Sequence, residues 1–165
     1  KDSGTLKLVQ STAWGLDLAD GSIYEGYWKN GKAEGKGRLI HANKDYYVGD
    51  WVAGKSNGLG VYTHQDGSQY EGEWKDDNQE GHGSENWPDG AVFKGQYLNG
   101  KKHGLGDFVW GDGSNYSGSF VNNNIEGNGT YAWADKRTYT GDWKDNKMHG
   151  EGEFLWEDGR KYKGQ

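Results

Sequence analysis

The chain of 165 residues has no cysteine, a single proline and a single methionine, and it contains no long apolar run. Without cysteine, neither a disulfide framework nor a thiolate metal site can form, and nothing argues for an oxidising compartment. No stretch approaches the ~20 apolar residues of a membrane span, and no basic-apolar-small signal segment opens the chain. A cytoplasmic protein is the resulting expectation. Acidic and basic residues are interleaved around a formal charge of −6, so no concentrated cationic stripe awaits phosphates and nucleic acid is not an expected partner. Only 32% of residues are hydrophobic, a share that would suggest disorder if the aromatic residues were scattered.

They are not scattered. Thirty glycines, nine tryptophans and eleven tyrosines recur with a period of 23 residues. Tyr24, Tyr47, Tyr70, Phe93, Tyr116, Tyr139 and Tyr162 each begin the pattern aromatic, any residue, glycine. Four residues later stands a second aromatic (Trp28, Trp51, Trp74, Tyr97, Phe120, Trp143), and Gly-x-Gly follows at 35/37, 58/60, 81/83, 104/106, 127/129 and 150/152. A period in this range marks a stacked array in which each unit contacts mainly its neighbours.

Within a unit, Asn30-Gly31 is a strong hairpin signal, and Ala53-Gly54, Asp76-Asp77, Asn99-Gly100, Asn122-Asn123 and Asp145-Asn146 take the same place in later copies. A two-residue turn sets Trp28 opposite Ala33, Gly26 opposite Gly35 and Tyr24 opposite Gly37, which predicts both aromatics and all three glycines on one face. Glycine then serves as a vacancy into which a neighbouring ring can lie. Alternation beyond each Gly-x-Gly extends the aromatic face through Tyr62, Phe108, Trp110, Tyr131, Trp133, Phe154 and Trp156. Odd-length connections, mostly carrying Asp-Gly, keep that face continuous and predict Tyr62 near Gly72 and Phe108 near Gly118. No helix or second sheet is available to cover it, so curling is the expected solution. The predicted fold is all-β: an elongated, single-layer antiparallel meander curved into a trough, roughly 60 Å long at two strands of about 4.8 Å per unit. Residues 1–20 read as a degenerate capping unit and 21–165 as the array, six repeats and the start of a seventh. The hairpin that opens at Tyr162 predicts a longer parent array.

Tyr-x-Gly-x-Trp, a short turn, Gly-x-Gly and an Asp-Gly connection together resemble the MORN repeat (membrane occupation and recognition nexus). The resemblance covers residues 20–165 in constant register, with Phe93, Tyr97 and Phe120 departing from the usual Tyr or Trp and two connections lacking Gly. Arrays of this family occur in radial spoke heads of cilia, in junctophilins, in phosphatidylinositol phosphate kinases and beside a SET methyltransferase domain; others scaffold cytoskeletons or bind myosin tails. The repeat therefore implies an architecture and leaves the task open.

Individual motifs add little chemistry. Gly49 to Ser56 fits the phosphate-loop pattern G-x-x-x-x-G-K-S, but that motif needs a strand leading into a helix, and here a second strand is expected. His41 and His64 hold equivalent places in adjacent units, about 10 Å apart, too far to share one metal ion. His82, His103 and His149 fall on the opposite, solvated face, and neither metal nor cofactor is expected. Glu85 takes an inner slot filled elsewhere by an aromatic, so it is expected either to swing into water from the rim or to anchor a partner's Lys or Arg.

The expected function is that of a non-catalytic scaffold gripping a helical or extended segment of a partner protein in an aromatic groove, lined by Trp51, Trp74, Glu85, Trp87, Tyr97, Trp110, Phe120, Trp133 and Trp143. The resemblance implies a cytoskeletal or ciliary setting, such as a radial-spoke-like assembly. Alternatives are an adaptor on phosphoinositide membranes, which the negative charge disfavours, and the regulatory repeats of a larger enzyme such as a phosphatidylinositol phosphate kinase. End strands also offer a route to self-association.

Overall fold

The computed structural model describes residues 7–9 and 16–165. They fold as strands joined by turns, with no helix among the described residues. Two compact units divide the chain at Gly81/His82. The first contains β1 (Lys7–Val9), β2 (Leu16–Asp17), β3 (Ile23–Lys29), β4 (Lys32–Ile40), β5 (Tyr46–Val52), β6 (Lys55–Thr63) and β7 (Gln69–Lys75), and β8 (Asn78–Asn86) carries the division. The second contains β9 (Val92–Leu98), β10 (Lys101–Val109), β11 (Asn115–Val121), β12 (Asn124–Ala132), β13 (Thr138–Lys144), β14 (Lys147–Leu155) and β15 (Lys161–Gly164). Within each unit, from β3 and from β9 onward, strands pair antiparallel with their chain neighbours, so the expected meander is present. β1 and β2 both pair with β3, Leu16 lying opposite Tyr24. The rest of the capping unit expected over 1–20 lies largely outside the described residues.

Each hairpin turn has its two central residues at positive φ, as at Asn30 (51°) and Gly31 (73°), the geometry that lets a two-residue loop match strand twist. The connection after β6 is the five-residue 64–68, odd as parity requires. There the Gly67 amide donates to His64 O (3.0 Å), the His64 amide to Ser68 O (2.8 Å) and the Ser68 amide to Asp66 Oδ1 (2.8 Å). Asp thus closes the turn through its side chain while Gly supplies φ of +92°. In the two connections without Gly, Lys44 and Lys136 are held at φ of 76° and 72°, a conformation costly for a residue bearing Cβ.

The hairpin register differs from the simple one. Trp28 does face Ala33, but Gly26 pairs with Gly37 and Tyr24 with Leu39, because a bulge intervenes. Its cause is the first glycine of each Gly-x-Gly: Gly35, Gly58, Gly81, Gly104, Gly127 and Gly150 all have positive φ, between 62° and 101°. These glycines do not face the rings. A Cβ on Gly58 would run into Asp50, and one on Gly104 into Gln96, both on the polar face. The amide after the bulge is instead captured there, Leu59 N–H donating to Asp50 Oδ2 (3.0 Å) and Leu105 N–H to Gln96 Oε1 (2.7 Å). The connections shift by the same two residues: Tyr62 pairs with Tyr70 and Phe108 with Tyr116, while Gly60 meets Gly72 and Gly106 meets Gly118. A two-residue shift preserves side-chain parity, so the aromatic face survives it.

The vacancies are the glycine two residues after each first aromatic and the second glycine of each Gly-x-Gly. The ring of Tyr47 lies over Gly49 and Gly60, that of Phe93 over Gly95 and Gly106, and that of Tyr116 over Gly118 and Gly129. Tyr24, Tyr70, Phe93 and Tyr116 are the largest fully buried side chains. Each tyrosine spans its own strand to donate its hydroxyl to the carbonyl three residues on: Tyr24 to Tyr27 O (2.6 Å), Tyr70 to Glu73 O (2.8 Å), Tyr139 to Asp142 O (3.0 Å). The second-position aromatics stand edge-on to them, as in Tyr47–Trp51 (5.1 Å, 87°) and Tyr47–Trp74 (5.2 Å, 83°). Such pairs contribute roughly 0.5–1.5 kcal/mol each beyond area burial.

Gly60→Ala is expected to cost about 3 kcal/mol in urea unfolding, the upper range for forcing a methyl into a packed core. Leu59→Ala, whose side chain is 63% exposed one residue away, should stay within about 0.5 kcal/mol. Burial also raises the phenols of Tyr24 and Tyr116 to about 12. Protons held more tightly in the folded state mean that this stability is intact below pH 10 and lost as pH rises toward 12. An alkaline unfolding curve followed by circular dichroism should fall across that window, and Tyr116→Phe should make the fall shallower.

Candidate functional site

The rings divide into two sets by burial. Trp51, Tyr97, Phe120 and Trp143 are core side chains, 4–7% exposed, and offer a partner almost no surface. The indole N–H groups of Trp51, Trp74 and Trp143 donate backward to Gly37 O, Gly60 O and Gly129 O, each at 3.1 Å, locking those rings in place. Trp74, Glu85, Trp87, Trp110 and Trp133 are half-buried. Of the nine residues expected to line a groove, four are therefore buried and five are half-buried.

Four further rings join them in the second unit. Trp87, Phe108, Trp110, Tyr131, Trp133, Phe154 and Trp156 form an unbroken ladder with centroid steps of 5.4, 4.4, 5.3, 4.7, 5.3 and 4.4 Å. Each repeat contributes the two alternating residues at the end of its second strand, so the rungs are in-register copies of one another. Cations sit on the ladder: the Arg137 guanidinium lies 5.3 Å from Trp133 and that of Arg160 lies 5.4 Å from Trp156. Both are steered by the connection's own carboxylate, Arg137 Nε donating to Asp135 Oδ2 and Arg160 Nε to Asp158 Oδ2 at 2.7 Å. The signal for these was present in the sequence, since arginine replaces the serine of Asp-Gly-Ser.

In the first unit the corresponding positions are poorer in rings. Tyr62 lies between His41 (5.8 Å) and His64 (4.8 Å), and its hydroxyl donates to Asp45 Oδ2 (3.0 Å). His64 Nδ1 also approaches Asp45 Oδ2 at 3.4 Å. No group of three or more His, Asp or Glu among the described residues is arranged to hold a metal ion. The segment resembling a phosphate loop runs through β5, its hairpin turn and the start of β6, with no helix to present its N-terminus.

Glu85 neither swings into water nor stands free for a partner. Its Oε1 accepts the Tyr97 hydroxyl at 2.5 Å and lies 3.4 Å from Lys102 Nζ, and both side chains of the ion pair are largely buried at 20% and 15% exposure. The Lys102 ammonium is surrounded by rings, 5.1 Å from Phe93, 5.4 Å from Trp87 and 5.9 Å from Tyr97. Sequence reasoning missed Lys102, although the hairpin register that pairs Trp28 with Ala33 also pairs Tyr97 with Lys102 on the inner face. Phe93, Tyr97 and Glu85 are all departures from the repeat, and they meet Lys102 at one point. Each departure compensates another: the carboxylate pairs the ammonium, and Tyr97 brings a hydroxyl where tryptophan would not.

The fold and this face define a tandem β-hairpin repeat protein whose aromatic side is partly open. The chain belongs to the MORN-repeat family, the repeat matching at residues 24–46, 47–69, 70–92, 93–115, 116–136 and 139–159. The matched copies begin at the aromatics that set the 23-residue period. Among solved structures the chain is similar to the SAS-4 (dCPAP) TCP domain of Drosophila melanogaster, in complex with a proline rich motif of Ana2 (dSTIL), at 16% identity over 91% of this chain and 87% of that one, with a TM-score of 0.50. The TCP10 domain of Danio rerio CPAP, in complex with a peptide of Danio rerio STIL, aligns at 12% identity over 90% and 81%, with a TM-score of 0.32. At 16% identity the likeness to the Drosophila domain is one of fold. No curated protein matches the chain in sequence comparison.

Removing one partner of the Glu85–Lys102 pair leaves a buried charge unmatched, so Glu85→Gln is expected to cost about 2 kcal/mol in urea unfolding. Glu85→Leu with Lys102→Met, the residues carried by equivalent positions 39 and 148, should recover most of that loss.

Proposed function

We propose that this chain is a non-catalytic scaffold that binds an extended segment of a partner protein on its aromatic face. The ring ladder from Trp87 to Trp156 carries this reading. Seven half-buried rings in one line are more than a core needs, and Trp and Tyr are the residues that most often anchor interfaces. Spacing favours a polyproline II segment laid across the strands. Two strands about 4.8 Å apart advance each repeat by about 9.6 Å, and three residues of polyproline II advance about 9.3 Å, so every third residue would meet an equivalent rung. A helix offers no such match to the repeat. The proline rich motif in the Drosophila structure is a segment of this type bound to a similar fold, which supports the choice. Preformed extended segments also lose little entropy on docking to aromatic-lined surfaces. We place such a scaffold in a cytoskeletal or ciliary assembly, a setting supported by the family resemblance and testable by locating the tagged chain in ciliated cells.

Binding of a fluorescein-labelled (Pro-Pro-Ala)4 peptide, followed by anisotropy, tests the reading. Trp110→Ala and Trp133→Ala should each weaken it by at least about tenfold, the loss expected for an interface anchor, with the circular dichroism spectrum unchanged. Leu105→Ala, exposed on the polar face, should leave it unaltered. Equal affinity across all three variants would remove the proposal.

A further inference from the structure

Nine residues after the first aromatic of each repeat stands a slot on the inner face: Ala33, Ser56, Gln79, Lys102, Ile125 and Met148. At Lys102 it is filled by an ammonium among three rings and a carboxylate, as described above. At Ser56 the same slot is empty. The short side chain leaves a cleft of about 280 Å³ between Tyr47, Trp51, Tyr62 and Trp74, with Asp77 on its wall. Ser56 itself is buried at 5% exposure, its amide and hydroxyl both donating to Asp77 Oδ1 at 2.8 and 3.1 Å.

From this equivalence we infer that the cleft at Ser56 is a cation subsite that receives a lysine side chain of the bound partner. The inference rests on the aromatic face being the docking surface and adds the chemistry of one anchor to it. The occupant is identified by the repeat-equivalent position, where the chain places its own lysine. Electrostatics agree. Ring faces attract an ammonium once it is desolvated, Asp77 supplies the opposite charge, and a methylene stem fills the apolar depth of the cleft. Leu39 stands where Glu85 stands in the filled copy, so the carboxylate comes from the opposite wall. The formal charge of −6 also favours a basic partner over an acidic one.

Two substitutions isolate the subsite without disturbing the fold. Ser56→Lys would fill it from within, as Lys102 does. Asp77→Asn removes the charge while keeping the turn hydrogen bond, because Asn123 and Asn146 already accept from the Lys102 and Ile125 amides at 2.9 and 2.8 Å. The probe is n-butylammonium chloride, the lysine side chain alone, titrated against the indole N–H resonances of Trp51 and Trp74 in the full chain, with n-butanol as the neutral match. Saturable shifts are expected with the ammonium, at least fivefold weaker binding in Asp77→Asn, and none in Ser56→Lys. Equal response to the alcohol, or an unchanged response in Ser56→Lys, would overturn the inference. Because the subsite lies wholly in residues 39–77, that failure alongside intact peptide binding through Trp110 and Trp133 would sink the cation subsite alone. Loss of peptide binding sensitivity at those tryptophans would instead strike the docking surface itself.

Discussion

Everything in this fold depends on a ring lying flat against a backbone that carries no side chain. Tyr47 over Gly49 and Gly60 and Phe93 over Gly95 and Gly106 bury an aromatic within a single sheet, with no second layer to pack against. A sheet ordinarily hides its apolar face under another element. Here the glycines let the rings sink until most of their surface is gone, and the tyrosine hydroxyls find carbonyls of their own strand. Thirty glycines would be a liability in any other sheet, since each loses more entropy on ordering than an alanine would. In this one, those that lie beneath the rings are the space in which the core is built.

A core of that kind is local. Each ring touches its own strand, its hairpin partner and the next repeat, so one copy can depart from the pattern without disturbing copies further along. The group of Glu85, Phe93, Tyr97 and Lys102 shows how. Together they place a paired, hydrogen-bonded charge inside an aromatic surface. Buried polar groups are tolerated when every partner is present. The aromatic face thereby carries a buried ion pair at one repeat.

The function proposed for the aromatic face follows from its incompleteness. The first-position rings of the matched repeats, with Trp51, Tyr97, Phe120 and Trp143 in the second position, are consumed by the core, whereas the rings of the ladder pack chiefly along one another and stay half-buried. The chemistry available there is apolar contact and cation-ring attraction, suited to holding a segment. Repetition adds a regular pitch of about 9.6 Å per repeat, the basis of the extended segment proposed above.

The period, the hairpin turns and the aromatic face all follow from spacing, because side-chain parity and turn chemistry are local properties of the chain. The order in which hairpins pair was legible for the same reason. Which glycine does which task was not: Gly58 and Gly60 are the same residue two places apart, and only the bulge, with Leu59 N–H reaching Asp50, separates the positive-φ hinge from the ring's resting place. Nor did composition distinguish Trp51, locked in the core by Gly37 O, from Trp110 on the open ladder, since exposure depends on how many neighbouring rings crowd each one. Lys102 reads as one more surface lysine until the register sets it beside Tyr97 and the fold brings Glu85 to it. Sequence by itself determined the faces and the repeat. Tertiary structure decided which members of the aromatic face are buried, which are free and where charge enters it, because those outcomes turn on distances between strands that no single strand contains.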